Sequence, residues 1–189
     1  MTFISVDVET SGLTSQYDLL SVGACNVFDI ENQIHEVIEP IELGGGVLEW
    51  DPGTYEWWIS QEAALERLNS EFKKQYPDVV PMAYIRSENA CKRFKNWLDQ
   101  FEKPLFFVAW PASFDYPFIQ EWFENSSVEN PFSYRTIDVK SYACGKFNVP
   151  FDAGHDSFPE WLNEKPEFPH DALSDAIAQA KVFRKLLEQ

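Results

Sequence analysis

Thr2-Phe3-Ile4-Ser5-Val6-Asp7-Val8-Glu9-Thr10 is the stretch whose reading decides the fold. Its apolar, β-branched character predicts a buried strand, and Ser11-Gly12 breaks it. Asp7 and Glu9 stand at the C-terminal end of that strand. Residues two apart on a strand face the same side, so the two carboxylates point together.

Working outward, Leu19 to Phe28 predicts a second strand and Gln33 to Ile41 a third, with a hairpin turn at Asp29-Ile30-Glu31-Asn32. Gly44-Gly45-Gly46 predicts a loop, without the Lys-Ser/Thr that a phosphate-binding loop needs. Thr54-Tyr55-Glu56-Trp57-Trp58 opens a short helix. Gln61 to Gln75 is a second, with Ala64, Leu65, Leu68 and Phe72 on one face, ended by Pro77 and Pro81. Ser87 is the expected cap of a third, with Ala90, Phe94, Trp97, Leu98 and Phe101 inward. Pro104 to Trp110 predicts a buried strand, Phe114 to Phe123 a helix, and Arg135 to Asp138 a short strand leading into a helix near Val139 to Cys144. The last helix, about Ala172 to Leu187, carries Ala176, Ile177, Ala180, Phe183 and Leu187 at helical spacing. This order predicts an α/β fold of the ribonuclease-H-like kind, a mixed central sheet with helices on both faces.

Bulk properties bound the function. The 189 residues, 44% hydrophobic and 16% aromatic, predict one globular domain over residues 1–189. No apolar run is long enough to span a membrane, and no signal peptide is evident. Cys25, Cys91 and Cys144 are scattered and read as free thiols, which makes the cytoplasm the expected location. A net charge of −16 argues against a nonspecific duplex binder. It is compatible with a nuclease, because two divalent ions would offset part of it where the substrate binds.

Two further acids complete a set. Asp115 lies in Ser113-Phe114-Asp115-Tyr116, and Asp175 in His170-Asp171-Ala172-Leu173-Ser174-Asp175-Ala176. Both are expected in the first turn of a helix, where the dipole favours a carboxylate. A cluster of four carboxylates is unfavourable unless cations neutralise it. Asp7, Glu9, Asp115 and Asp175 therefore imply two bound Mg²⁺ or Mn²⁺ ions and phosphoryl chemistry. His170, expected in a loop before the last helix, has the pKa range of a general base for an attacking water.

These segments resemble the DEDDh superfamily of 3′-to-5′ exonucleases. Asp7-Val8-Glu9-Thr10 matches its first motif, Asp115 its second, and His170 with Asp175 its third. Within it, the chain is most similar to the small branch typified by phage exonuclease A and a mycobacterial exoribonuclease. Thr54, Trp57, Trp58 and Gln61 match a Thr…Trp-Trp…Gln segment of that branch, and Arg135 to Asp138 an Arg-x-x-Asp segment. The similarity runs from Thr2 to about Val182. It departs at Ala109-Trp110-Pro111-Ala112-Ser113, where many relatives have Asn or Gly.

The resemblance implies a single-stranded or 3′-tailed substrate, RNA rather than DNA, released as nucleoside 5′-monophosphates. It implies that the backbone near Thr10 meets the 3′ hydroxyl, that Leu13 wedges against the terminal base and that Phe114 covers its other side. It also gives Trp57 and Trp58 a part in lining the groove, although core packing is the stronger expectation for at least one. Several members are homodimers, which carries a dimer over as an expectation.

Rival readings stand beside this one. Single-stranded DNA, or a dinucleotide or small oligonucleotide, could be the substrate. A strongly acidic chain could also be a non-catalytic mimic of nucleic acid. His155, flanked by Asp152 and Asp156, reads as a surface-loop residue, and His35 as a strand residue with no partner. Arg86 and the run Lys92-Arg93-x-Lys95 read as a solvated helix face, or as a guide for the incoming strand.

Overall fold

The opening stretch forms β1 (Thr2–Thr10) in a computed structural model that describes residues 1–38, 49–77 and 83–188. β2 (Leu19–Asn26) pairs antiparallel with β1, and β3 (Asp29–Val37) antiparallel with β2. On the other side, β4 (Leu105–Ala109) runs parallel to β1, and β5 (Ile137–Asp138) parallel to β4. The sheet order is β3-β2-β1-β4-β5, which makes β1 central. A central strand is covered on both faces, and this explains why Phe3 to Val8 lacks a strictly polar side.

The helices are α1 (Pro52–Ser60), α2 (Glu62–Gln75), α3 (Ala83–Leu98), α4 (Ala112–Asn125), α5 (Val139–Phe147) and α6 (Ala172–Glu188). The even residues of β1, Ile4, Val6 and Val8, pack with Val22 and Ala24 against Phe94 and Leu98 of α3 and Phe118 and Phe123 of α4. The opposite face carries Cys25, Val27 and Val108, packed against Ala180, Phe183 and Leu186 of α6 and Ala143 of α5. Asp7 and Glu9 share the odd parity of that second face, so they turn toward α6. A third cluster joins Leu20 and Val37 to Trp58 of α1 and to Leu68 and Phe72 of α2. The predicted mixed sheet with helices on both faces is the observed architecture.

Several boundaries differ from expectation. The hairpin turns at Val27-Phe28, not at Asp29 to Asn32: Asn26 Oδ1 accepts from the Phe28 N–H at 3.0 Å, and β3 already begins at Asp29. The side-chain acceptor of Asn26 closes this shorter turn. Ser87 is not a cap but lies inside α3, where its Oγ accepts from Trp122 Nε1 at 3.0 Å. α1 starts at Pro52, capped by Asp51, whose carboxylate accepts from the Thr54 N–H at 2.9 Å. The triple glycine, the end of the predicted third strand and Pro81 lie outside the described residues. The three cysteines are buried and free. Among the described residues, no helix is long and apolar enough to cross a membrane.

Candidate active site

Each acidic residue is placed by a different element. β1 presents Asp7 and Glu9 on one side, and its register slips between Glu9 and Thr10 as the strand leaves the sheet. Asp115 is in the first turn of α4. That helix is aimed by Asp138, which caps two helices at once. Its Oδ2 accepts from the Ala112 N–H at 2.8 Å and its Oδ1 from the Ser141 N–H at 2.7 Å. Asp115 is 2% exposed, and its Oδ1 accepts from the Val8 N–H at 3.2 Å, which ties α4 to the strand between the two β1 acids.

Asp175 is in the first turn of α6. Asp171 caps that helix, accepting from the Ser174 N–H at 3.0 Å. Arg67 of α2 donates to the other Asp171 oxygen at 2.8 Å while its guanidinium lies 3.5 Å over the Phe168 ring. The start of α6 is thereby fixed to α2. It is also pressed directly onto the sheet at Gly23, the β2 partner of Asp7. A Cβ there would come within 2.1 Å of the Leu173 nitrogen and 2.2 Å of the Ala172 carbonyl carbon. Only a residue without a side chain lets the α6 backbone approach so closely.

Asp7, Glu9 and Asp175 converge: one carboxylate oxygen from each lies within 4.8 Å of the others. Burial raises Asp7 well above the usual carboxylate range, helped by the charges of Asp115, Glu9 and Asp175. Burial does the same to Glu9, with Asp175 next. It pushes Asp115 up to about 7 and Asp175 to about 6, although backbone N–H groups, among them those of His170 and Asp171, pull Asp175 back down. Among the described residues no cationic side chain pairs with any of the four.

These side chains line a cavity of about 430 Å³. The sequence-predicted His170, Phe114 and all four acids face it. His170 is in the loop before α6 in a left-handed conformation, φ 59°, and lines the same cavity as the acids. Burial lowers its pKa, which favours the neutral imidazole. The edge of Trp57 meets it, with centroids 4.6 Å apart at 87°.

The tryptophan pair divides between two roles. Trp58 is 1% exposed, and its Nε1 donates to the Thr10 carbonyl at 3.1 Å, holding the end of β1. Trp57 is 39% exposed and stands beside His170. Thr10 turns its hydroxyl to the Gly12 carbonyl at 2.7 Å. Leu13 is 71% exposed in the loop after β1 and is not part of the cavity lining. The basic residues of α3 are engaged elsewhere: Arg93 grips buried Glu36, Lys92 pairs with Glu88, and Lys95 with Asp99 at 2.5 Å.

Gln179 escaped the reading of the sequence. Its amide bridges the sheet and the site: Oε1 accepts from the Trp110 N–H at 2.9 Å, and Nε2 donates to Asp7 Oδ1 at 2.5 Å. The available signal was its place four residues after Asp175, on the same face of α6. Gly23 gave no such signal, because the contact that requires it comes from a distant helix.

The family model described as the 3′-5′ exoribonuclease Rv2179c-like domain matches residues 2–187. A curated Escherichia coli protein, 3′-5′ DNA exonuclease Cap18, is 31% identical over 187 residues, covering 96% of this chain and 89% of the relative. Among solved structures, S. pombe Pop2p in its Mg²⁺- and Mn²⁺-bound form superposes with a TM-score of 0.63 at 11% identity, covering 99% of this chain and 83% of that one. The nuclease domain of 3′hExo, a DEDDh family member bound to rAMP, gives 0.62 at 13% identity, with 99% and 92% covered. These two likenesses establish the fold. The acidic-mimic reading is set aside by the family match and the curated relative. The chain belongs to the Rv2179c-like 3′-5′ exoribonuclease family, and it is a 3′-5′ exonuclease.

Proposed function

We propose that the chain shortens single-stranded or 3′-tailed RNA from its 3′ end and releases nucleoside 5′-monophosphates. The observation that carries this reading is the convergence of Asp7, Glu9 and Asp175 within 4.8 Å, in a cavity shared with Asp115 and His170. The donor set suits hard divalent ions: every donor is a carboxylate oxygen, Glu9 and Asp115 are buried, Asp7 and Asp175 are half-buried, and among the described residues no cationic side chain offsets their mutual repulsion. Asp7, Glu9, Asp115 and Asp175 would hold two Mg²⁺ or Mn²⁺. Bound there, such ions supply Lewis acidity to the scissile phosphate and its departing 3′ oxygen.

The protein's own groups supply the rest. Neutral His170 accepts the proton of the attacking water. Gln179 keeps one Asp7 oxygen fixed, so the other faces the cavity. Phe114, Phe158, Leu162 and Val182 form an apolar wall for the terminal nucleoside. Trp57 limits the movement of the His170 ring.

The family description favours RNA. A second reading, single-stranded DNA, is favoured by the Escherichia coli relative, whose name gives DNA as its substrate. A time course on matched 5′-labelled RNA and DNA strands, with Mg²⁺, Mn²⁺ or chelator, tests both. The expected result is a metal-dependent ladder shortening from the 3′ end, faster on RNA. A faster DNA ladder would select the second reading, and no shortening of either would overturn the function.

His170→Ala should retain the metal-induced rise in Tm but lower kcat by roughly 10²–10⁴-fold, the range for loss of a general base. Near-normal turnover would remove His170 from that role.

The raised carboxylates also predict a pH dependence. In the metal-free chain, Asp115 and Asp175 resist ionisation. Their contribution to stability is complete below the ordinary value of 3.8 and is lost as pH rises through about 6 to 7. In chelator, Tm should therefore fall between about pH 4 and about pH 7, and Mn²⁺ should raise it more at the higher pH. General self-repulsion of an acidic chain acts in the same direction, so Asp175→Asn is the control. Its decline should be shallower, and an identical decline would rule out Asp175 as a source.

A further inference from the structure

We propose that Lys165 binds the phosphodiester one step upstream of the scissile one, and so makes the enzyme prefer strands to unphosphorylated dinucleotides. This rests on the nuclease reading above. Lys165 is the only lysine or arginine among the described residues lining the cavity, whose other charged groups include four clustered acids and Glu164. Among the described residues it makes no ion pair or hydrogen bond, whereas Lys185 and Lys146 are both engaged. Lys185 of α6 binds Glu164 and donates to the Trp161 carbonyl at 2.6 Å, and Lys146 donates to the Leu186 carbonyl at 2.7 Å.

Position then assigns the ligand. Lys185 anchors the segment that carries Lys165 to α6, so the lysine stands on a fixed wall rather than a free loop. Leu162 of the same segment is buried, while Lys165 is exposed at the cavity rim. A 3′-5′ exonuclease takes the chain end inward. The terminal nucleoside fills the apolar wall, and the scissile phosphate meets the metal ligands. The next phosphate outward is then level with the rim. In a chain of net charge −16, an unpaired cation at the rim of this cavity gives a local attraction for phosphate beside the clustered acids. A lysine suits this contact, because a point charge on a flexible stem binds phosphate without demanding one base or sugar.

The test compares a dinucleotide bearing a 5′ hydroxyl with the same dinucleotide bearing a 5′ phosphate, in Mg²⁺, for the wild type and Lys165→Gln. The wild type should cleave the phosphorylated form with a kcat/KM about 10-fold higher, mainly through KM, the scale of one charge-assisted contact. Lys165→Gln should bring the two substrates close together. On a longer strand, its kcat/KM should also fall less steeply with salt, by about 0.7 in the log–log slope. A wild type indifferent to the 5′ phosphate, or a variant that keeps the preference, would overturn the proposal. A wild type inactive on both dinucleotides and on strands would overturn the nuclease reading itself.

Discussion

Asp7→Asn should lower kcat by at least about a thousandfold on any strand the wild type degrades. Charge stabilisation by a catalytic metal is worth several kcal/mol, and each ~1.4 kcal/mol is tenfold in rate. Asparagine keeps the shape of the side chain and an oxygen that can accept from Gln179 Nε2, so the fold is retained. The substitution has a second signature. It removes a half-buried carboxylate that desolvation and three neighbouring acids already hold well above its usual range. The metal-free variant should thus be at least as stable as the metal-free wild type near neutral pH, while its gain in Tm on adding Mn²⁺ shrinks. Activity assays together with melting curves, with and without Mn²⁺, check both halves. Full turnover in Asp7→Asn would refute the metal site as assigned, and an unchanged metal-induced gain would show that the ions bind elsewhere.

Gly23→Ala is the second large effect, and it touches no chemical group of the site. The added Cβ would meet the backbone of Ala172 and Leu173 at 2.1 to 2.3 Å, which no rotamer change relieves. Either the start of α6 lifts or β2 bends. Overpacking of this kind costs about 3 kcal/mol, a fall of roughly 6–12 °C in Tm for a chain of this size. Because His170 and Asp175 flank the displaced turn, kcat should fall as well, out of proportion to the unfolded fraction. Gly145→Ala is the contrast: a Cβ there meets nothing within 4 Å, and alanine in a helix should add roughly 0.5–1 kcal/mol. If Gly23→Ala melted and cleaved like the wild type, the close packing of α6 on β2 would not be what positions the site.

These two substitutions differ in how they could have been foreseen. Asp7 was legible because strand parity pairs it with Glu9, and because Asp115 and His170–Asp175 follow in contexts that only make sense together. Gly23 resembles any glycine in a strand until α6, about 150 residues later in the chain, is laid across it. Gln179 was hidden for the same reason. One of its partners is on β1 and the other follows β4, so its meaning exists only once three elements meet. Trp57 and Trp58 are adjacent in sequence but turn in different directions on α1, one to the Thr10 carbonyl and one to His170. Neighbours on a helix point about 100° apart, and which of them faces the core depends on where the sheet lies.

The sequence by itself determined the central strand, the helix-start positions of Asp115 and Asp175, the mixed sheet covered on both faces, and the set of acids that share one cavity. Periodicity and the chemistry of carboxylates are local properties, and they survive without coordinates. Tertiary structure alone decided the backbone contact at Gly23, the Gln179 bridge and the unpaired Lys165 at the rim. Each of these depends on how far apart two remote segments come to rest, a quantity set by packing of the whole core rather than by any window of residues.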